Sequence, residues 1–271
     1  MGVMAAFIFA AQAINFPVVG GTSGHILGGA LTGILIGPWA GTLVMTAVII
    51  VQGLLFQDGG MLSMGWNILN MGAFSVLTGY VTYILLHRFL GTRKKVEPFV
   101  IFFAAWISVE TGAVAVALQL AASGTFPLHL ALPALTLVYG LIGLAEGLVT
   151  VAALSFIRGS YPELLQGDAA PGRVSATLVS FGLAFALLLA LLSPLASSSP
   201  DGLETVAETD GFMASASGSF FEVFPDYTVT MLESPSYSTI VAMVIGTLLV
   251  FGVVLMLGQL MMRVRGRAGA G

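Results

Sequence analysis

Apolar residues run in long blocks along this chain, broken by short polar stretches. Residues 38–56, 68–87, 98–122, 134–157, 174–195 and 238–262 each match the roughly 17–25 apolar residues that a helix needs to cross a bilayer. Residues 1–16, "MGVMAAFIFAAQAINF", are barely long enough and stop at Pro17 and Gly20–Gly21. Residues 24–36, "GHILGGALTGILI", are short for a span and suit a half-helix buried within protein. "GPW" at 37–39 turns the chain, with Pro38 placed to open a new helix. The pattern predicts eight membrane segments, one of them short.

The polar stretches carry the rest of the organisation. "QDGGMLSMGWN" (57–67) and "SGTFPLHLALP" (123–133) read as loops, and "GSYPELLQGDAAPGR" (159–173) reads as a linker between two modules. A long hydrophilic loop covers about 197–236.

Composition agrees with the pattern. The 271 residues are 57% hydrophobic and 8% charged, with a mean hydropathy of +1.00. Soluble domains carry about 25% charged residues, so this chain is an all-α polytopic membrane protein. A transmembrane β-barrel would alternate over segments of roughly ten residues. The chain has no cysteine, which excludes disulfides, thiolate metal sites and cysteine nucleophiles. Residues 1–16 lack the basic start of a signal peptide. "GxxxxGK" is absent and no soluble stretch could form an ATPase, so any ATP-driven step belongs to another chain. Nothing points to nucleic acid.

Charge sets the orientation. All nine Lys and Arg residues lie in the 88–95 loop, at Arg158 and Arg173, or in the C-terminal tail. Alternating spans put these on the cytoplasmic side of a plasma membrane. Loops 57–67, 123–133 and 197–236 then lie outside. The last holds seven acids (Asp201, Glu204, Glu208, Asp210, Glu222, Asp226 and Glu233) and no base. His25 falls near the outer face and Met1 on the cytoplasmic side.

Polar groups at membrane depth are costly and mark candidate sites. His25 stands in "GGTSGHILGG", preceded by Thr22 and Ser23. It reads as a metal ligand open to the outside or as an interhelical hydrogen bond. Gly29 and Gly33 form a GxxxG pattern for close helix approach. Asn67 and Asn70 share a helix face by spacing. They would orient an imidazole by hydrogen bonds. Gln57 and Asp58 open the outer loop, where turn chemistry is the competing reading. Glu110 and Glu146 lie inside spans, as a cation or proton path or as structural carboxylates. His87 and His129 read as solvated. The twelve methionines suit packing better than soft copper sites. Ser23 with His25 lacks the third group and the GxSxG turn of a hydrolase.

"FIFAAQAINFPVVGGTSGHILGGALTGILIGPWAG" (7–41), "LLFQDGG" (54–60) and "NILNMG" (67–72) resemble the CbiM/NikM family, the cobalt/nickel substrate-binding membrane components of energy-coupling factor transporters. The resemblance covers about residues 1–158. "PDGLE" at 200–204 is similar to the signature of the PDGLE domain, a CbiN/NikN-like unit of two helices around an outer loop, which residues 174–271 match in layout. The resemblance implies a bundle holding about six of the family's seven helices, followed by a two-helix module. It implies an importer of Co²⁺ or Ni²⁺, with the ion as cargo and no prosthetic group. The ATP would be hydrolysed on separate subunits that work with a transmembrane coupling component. The acidic loop would help to load or gate the site.

The family's site is built from nitrogen donors: the N-terminal amine, the amide and imidazole of a second-position histidine, and the histidine matching His25. Thr22, Ser23, Gln57, Asp58, Asn67 and Asn70 are the residues placed to support that imidazole. Here the chain opens Met1-Gly2-Val3, and residues 1–16 match the family's second helix. The expectation is an upstream helix that begins Met-His. Other readings are a metal-deficient variant serving as a structural or assembly subunit, and a cation channel using Glu110 and Glu146.

Overall fold

The computed structural model describes residues 1–18, 21–91, 93–160, 176–213 and 223–268. Among them, six helical segments are long and apolar enough to cross a membrane: Pro38–Phe56, Met64–Leu90, Glu97–Ala122, Leu128–Ser160, Ala176–Leu195 and Pro235–Arg263. Their bounds follow from continuous apolar sequence, so they sit close to the predicted blocks. Most of the 159–173 linker lies outside the described residues, although Gly159 and Ser160 still belong to a helix.

The first two segments differ from expectation. Helix α1 covers only Gly2–Gln12, about 16 Å at 1.5 Å per residue, or half the hydrocarbon core. Residues 24–36 are not one helix. Phe16–Pro17 (β1) and Ser23–Gly24 (β2) pair antiparallel, Phe16 opposite Gly24. Helix α2 starts only at Gly29 and ends at Ile36. The eight predicted segments are therefore six spans and two half-helices, with a hairpin loop dipping between the halves. Gly28 makes the bend: its φ is +77°, and an added Cβ would lie 2.2 Å from Ile8 Cδ1.

Helix α3 (Pro38–Val51) widens into a π segment at Gln52–Phe56. Helix α4 (Met64–Asn67) passes through a second π segment, Ile68–Phe74, into α5 (Ser75–Leu90). Helices α6 (Glu97–Ala122) and α7 (Leu128–Ser160) pack together along their lengths. The predicted loop 123–133 is shorter than expected, because α7 begins before Pro133. That proline forfeits one helical hydrogen bond, and the full burial of Ala131 and Leu135 beside it holds the turn in place. His129 is exposed, in the first turn of α7.

Helices α8 (Ala176–Leu192) and α10 (Pro235–Ala268) pack on α1, which is buried between them and α3. Small residues permit this: Gly246 of α10 faces the Phe9 ring, and Gly2 faces Phe251. Gly29 and Gly33 likewise face Ser75 and Val76 of α5, which is the close approach that their spacing suggests.

The loops gather at one end of the bundle. There Phe224 and Tyr227 stack on Phe56, with Phe9 against its edge, and Phe224 N donates to Leu55 O at 2.8 Å. At the opposite end, Met1, Trp39, Gly258, Met261 and Met262 line one shallow surface. A polar cluster there joins three spans. Tyr83 of α5 donates to Glu97 of α6 at 3.0 Å, and Arg158 of α7 donates to Tyr83 at 2.9 Å and pairs with Glu97. His87 belongs to this cluster and is not solvated: its Nε2 lies 3.2 Å from Glu97 and its ring packs edge-on to Tyr83. Glu97→Gln is expected to cost about 1–2 kcal/mol, near the low end for charged hydrogen bonds, because Arg158 is 35% exposed and screened. A lower melting midpoint in detergent checks this.

Candidate metal site on the re-entrant loop

Irregular backbone at membrane depth survives only where protein satisfies its hydrogen bonds. Residues 21–28 meet this condition through contacts from distant parts of the chain. Val18 N donates to Thr22 O at 2.8 Å within the hairpin. Ser23 N donates to Pro200 O at 2.8 Å, and Ser23 Oγ donates to Ser199 O at 2.8 Å. Thr22 Oγ1 donates to Pro200 O at 3.2 Å and accepts from Thr205 Oγ1 at 2.8 Å. Deeper in, Leu27 N and Gly28 N donate to the two oxygens of Glu146, each at 2.8 Å. Gln12 Nε2 donates to Leu27 O at 2.7 Å. Glu146 is fully buried, eighteen residues into α7. At 1.5 Å per residue that is about 27 Å from the start of the helix.

His25 lies between these two sets of contacts and is half-buried. Its Nδ1 is 3.4 Å from Ile26 O. Two residues along the loop, Leu27 forms a small apolar cluster with Val109 and Ile142, with Phe16, Val18 and Met71 packed against it.

Thr22 and Ser23 do not turn toward the imidazole. Their hydroxyls hold the peptide Ser199–Pro200 and Thr205. That segment is ordered by its own sequence: Asp201 accepts from Glu204 N at 2.8 Å while the Glu204 carboxylate accepts from Asp201 N at 3.1 Å, a capping box that starts helix α9 (Gly202–Thr209). Gly202 rests on Val138, Tyr139 and Ile142 of α7. Burial, with neighbouring Asp201, Glu208 and Asp58, raises the Glu204 carboxyl above its usual range. Residues 199–205 of the acidic loop are therefore docked on the hairpin and α7. Residues 214–222, including Glu222, lie outside the described residues.

The other predicted partners of the imidazole are dispersed. Asp58 accepts from Tyr227 OH at 2.5 Å. Burial and that carboxylate push the Tyr227 phenol well above its usual range, so it remains a donor. Gln57 ends the π segment of α3 with φ +61°. Asn67 donates to Gly59 O at 3.0 Å and closes the outer turn. Asn70 pairs reciprocally with Gln119 of α6, at 2.8 and 2.7 Å. The spacing argument put both asparagines on one face. The π segment starting at Ile68 widens the turn and separates them. Glu110 faces Gly140, and Glu146 is six residues further along α7, about 9 Å. The two glutamates are thus at different depths, and Glu146 spends both oxygens on amides. Sequence reasoning missed Gln12 and Thr205; it singled out Glu146 as a carboxylate inside a span, but not the loop amides that it holds.

Among the described residues, no three His, Asp or Glu side chains converge to hold a metal ion. His25 is the imidazole that the loop presents.

The comparisons with known proteins agree with this architecture. The family described as "Cobalt uptake substrate-specific transmembrane region" matches residues 1–164, and the PDGLE domain matches residues 176–263. The chain is 35% identical, over 92% of its length and 82% of the relative's, to a "Putative fused nickel transport protein NikMN" of Archaeoglobus fulgidus. It is 33% identical to the "Cobalt transport protein CbiM" of Sorangium cellulosum, over 61% of this chain and 75% of that protein. Among solved structures, a "Truncated Transition metal Transporter" superposes with a TM-score of 0.51 at 27% identity, covering 58% of this chain and 78% of that one. A largely helical membrane bundle, the matched first module and the docked PDGLE peptide place this chain in the CbiM family of cobalt uptake transmembrane proteins, with a PDGLE domain joined behind it.

Proposed function

We propose that this chain is the substrate-binding membrane component of an ATP-driven energy-coupling factor importer, and that it captures Ni²⁺ or Co²⁺ at its outer face through His25. The observation that carries this reading is the position of His25, on a loop held at both ends inside a cobalt/nickel-type bundle. Imidazole suits both ions, and both accept the same nitrogen donors. The loop-bearing end faces outward and the end with His87, Arg158 and the C-terminal arginines faces the cytoplasm, in keeping with the positive charges. A membrane coupling component and cytoplasmic ATPases complete the machine. The PDGLE peptide supports the ion site by holding Thr22 and Ser23.

Further nitrogen donors, carried on an added helix that begins Met-His, would complete the coordination. A structural or assembly subunit is the second reading, favoured by the lack of a three-ligand cluster among the described residues. Ni²⁺ and Co²⁺ titration separates the two, using the chain with and without such a helix and His25→Ala in each. A lost ligand should cost at least the roughly 10–100-fold that outer partners of a metal site cost. If affinity in the extended chain survives His25→Ala, the site assignment fails.

A further inference from the structure

We infer that Glu146 is a positioning residue for His25, acting through the backbone of the loop; this rests on the metal-capture reading above. His25 has only Gly24 and Ile26 between itself and anchored residues. On one side Ser23 is fixed by Pro200 and Ser199. On the other, Leu27 and Gly28 are fixed by a single carboxylate that is 0% exposed, both of its oxygens 2.8 Å from a backbone nitrogen. These two amides stand at the start of α2, where the helix dipole favours a negative group. Gln12 holds the carbonyl of the same residue, Leu27, from the opposite helix.

The chemistry calls for a carboxylate. It offers two acceptors in a fixed fork to two successive donors. A glutamine of the same shape keeps one acceptor and turns an NH₂ group toward the other amide, donor against donor. The loop then loses one anchor while the packing around position 146 is unchanged. An imidazole on a tripeptide with a loose end samples more orientations, and a metal site depends on groups that fix its ligands. This role also accounts for a buried carboxylate at mid-bundle without assigning it to a cation path.

The test uses Glu146→Gln in detergent, in the chain carrying the added Met-His helix, with helix content and melting midpoint confirming that it folds. Diethyl pyrocarbonate labelling is followed by mass spectrometry at the three histidines, with exposed His129 and packed His87 as internal references. His25 is expected to label several-fold faster in the variant, with the reference rates unchanged. Co²⁺ affinity is expected to fall about 10–100-fold, with a change in the Co²⁺ absorption bands that a purely structural role would not produce. Labelling and affinity equal to wild type overturn the inference, as does faster labelling with affinity retained. An affinity that ignores His25→Ala strikes the metal reading instead, and labelling alone then decides the role of Glu146. If Glu146→Gln does not fold, Gln12→Met is used; it removes only the bond to Leu27 O and should speed His25 labelling to a smaller degree, and no change there overturns the inference.

Discussion

Gly28→Val is expected to destabilise the protein by about 2–5 kcal/mol. Two costs combine. A left-handed residue with a side chain costs about 1–2 kcal/mol, and Gly28 has φ +77°. Overpacking a filled core adds about 1–3 kcal/mol, and the new Cβ would sit 2.2 Å from Cδ1 of Ile8, which is 0% exposed. Gly21→Val isolates the first cost, because Gly21 has φ +82° and nothing within 4 Å of its Cβ position. Melting midpoints of the two variants in detergent check this. The Gly28 variant should melt well below the Gly21 variant, and equal midpoints would show that the Ile8 contact does not hold the loop. Because Gly28 N is bonded to Glu146, metal affinity should fall with stability in the Gly28 variant only.

Gly246→Leu is expected to push α10 away from α1 and release the PDGLE peptide from the hairpin. A Cβ at position 246 lies 2.2 Å from Phe9 Cζ and 2.7 Å from Phe56 Cζ. Neither ring has room to move. Both are 0% exposed, and Phe224 and Tyr227 are stacked on Phe56. These two aromatics anchor the far side of the outer loop, so the strain reaches the segment that bonds Thr22 and Ser23. The chain contains no cysteine, which makes a reporter simple. Thr22→Cys with Thr205→Cys replaces two hydroxyls 2.8 Å apart, which puts the two thiols within reach of each other. Oxidation should join the pair readily in the otherwise native chain and poorly when Gly246→Leu is added. Equal joining in both would mean that the loop docks independently of α10.

The spans were legible because their signal is local. A run such as 38–56 is apolar residue by residue, and the structure places a helical span on those same residues. Clustered arginines and lysines, the Gly29–Gly33 spacing and the "PDGLE" peptide are equally local. Where a reading needed a second segment, it went astray. His87 looked solvated because Glu97 and Arg158 are not adjacent to it on one helix. Asn67 and Asn70 read as sharing one helix face because α-helical spacing was assumed across a π segment. The hairpin at 16–24 carried no strand-like alternation, since it is two residues wide on each side.

The sequence by itself determined that this is a helical membrane protein, which end of the bundle is basic, and that His25 stands at a break in the apolar pattern. Hydrophobic transfer and charge cost act on each residue where it stands, so order along the chain is enough to read them. Only the tertiary structure decided that the break is a loop entering the bundle. Its partners are Glu146, 118 and 119 residues from the amides it accepts, and Ser199, Pro200 and Thr205, 176 to 183 residues from Thr22 and Ser23. Backbone groups removed from water must find partners wherever the fold brings them, and that requirement leaves no periodicity in the sequence.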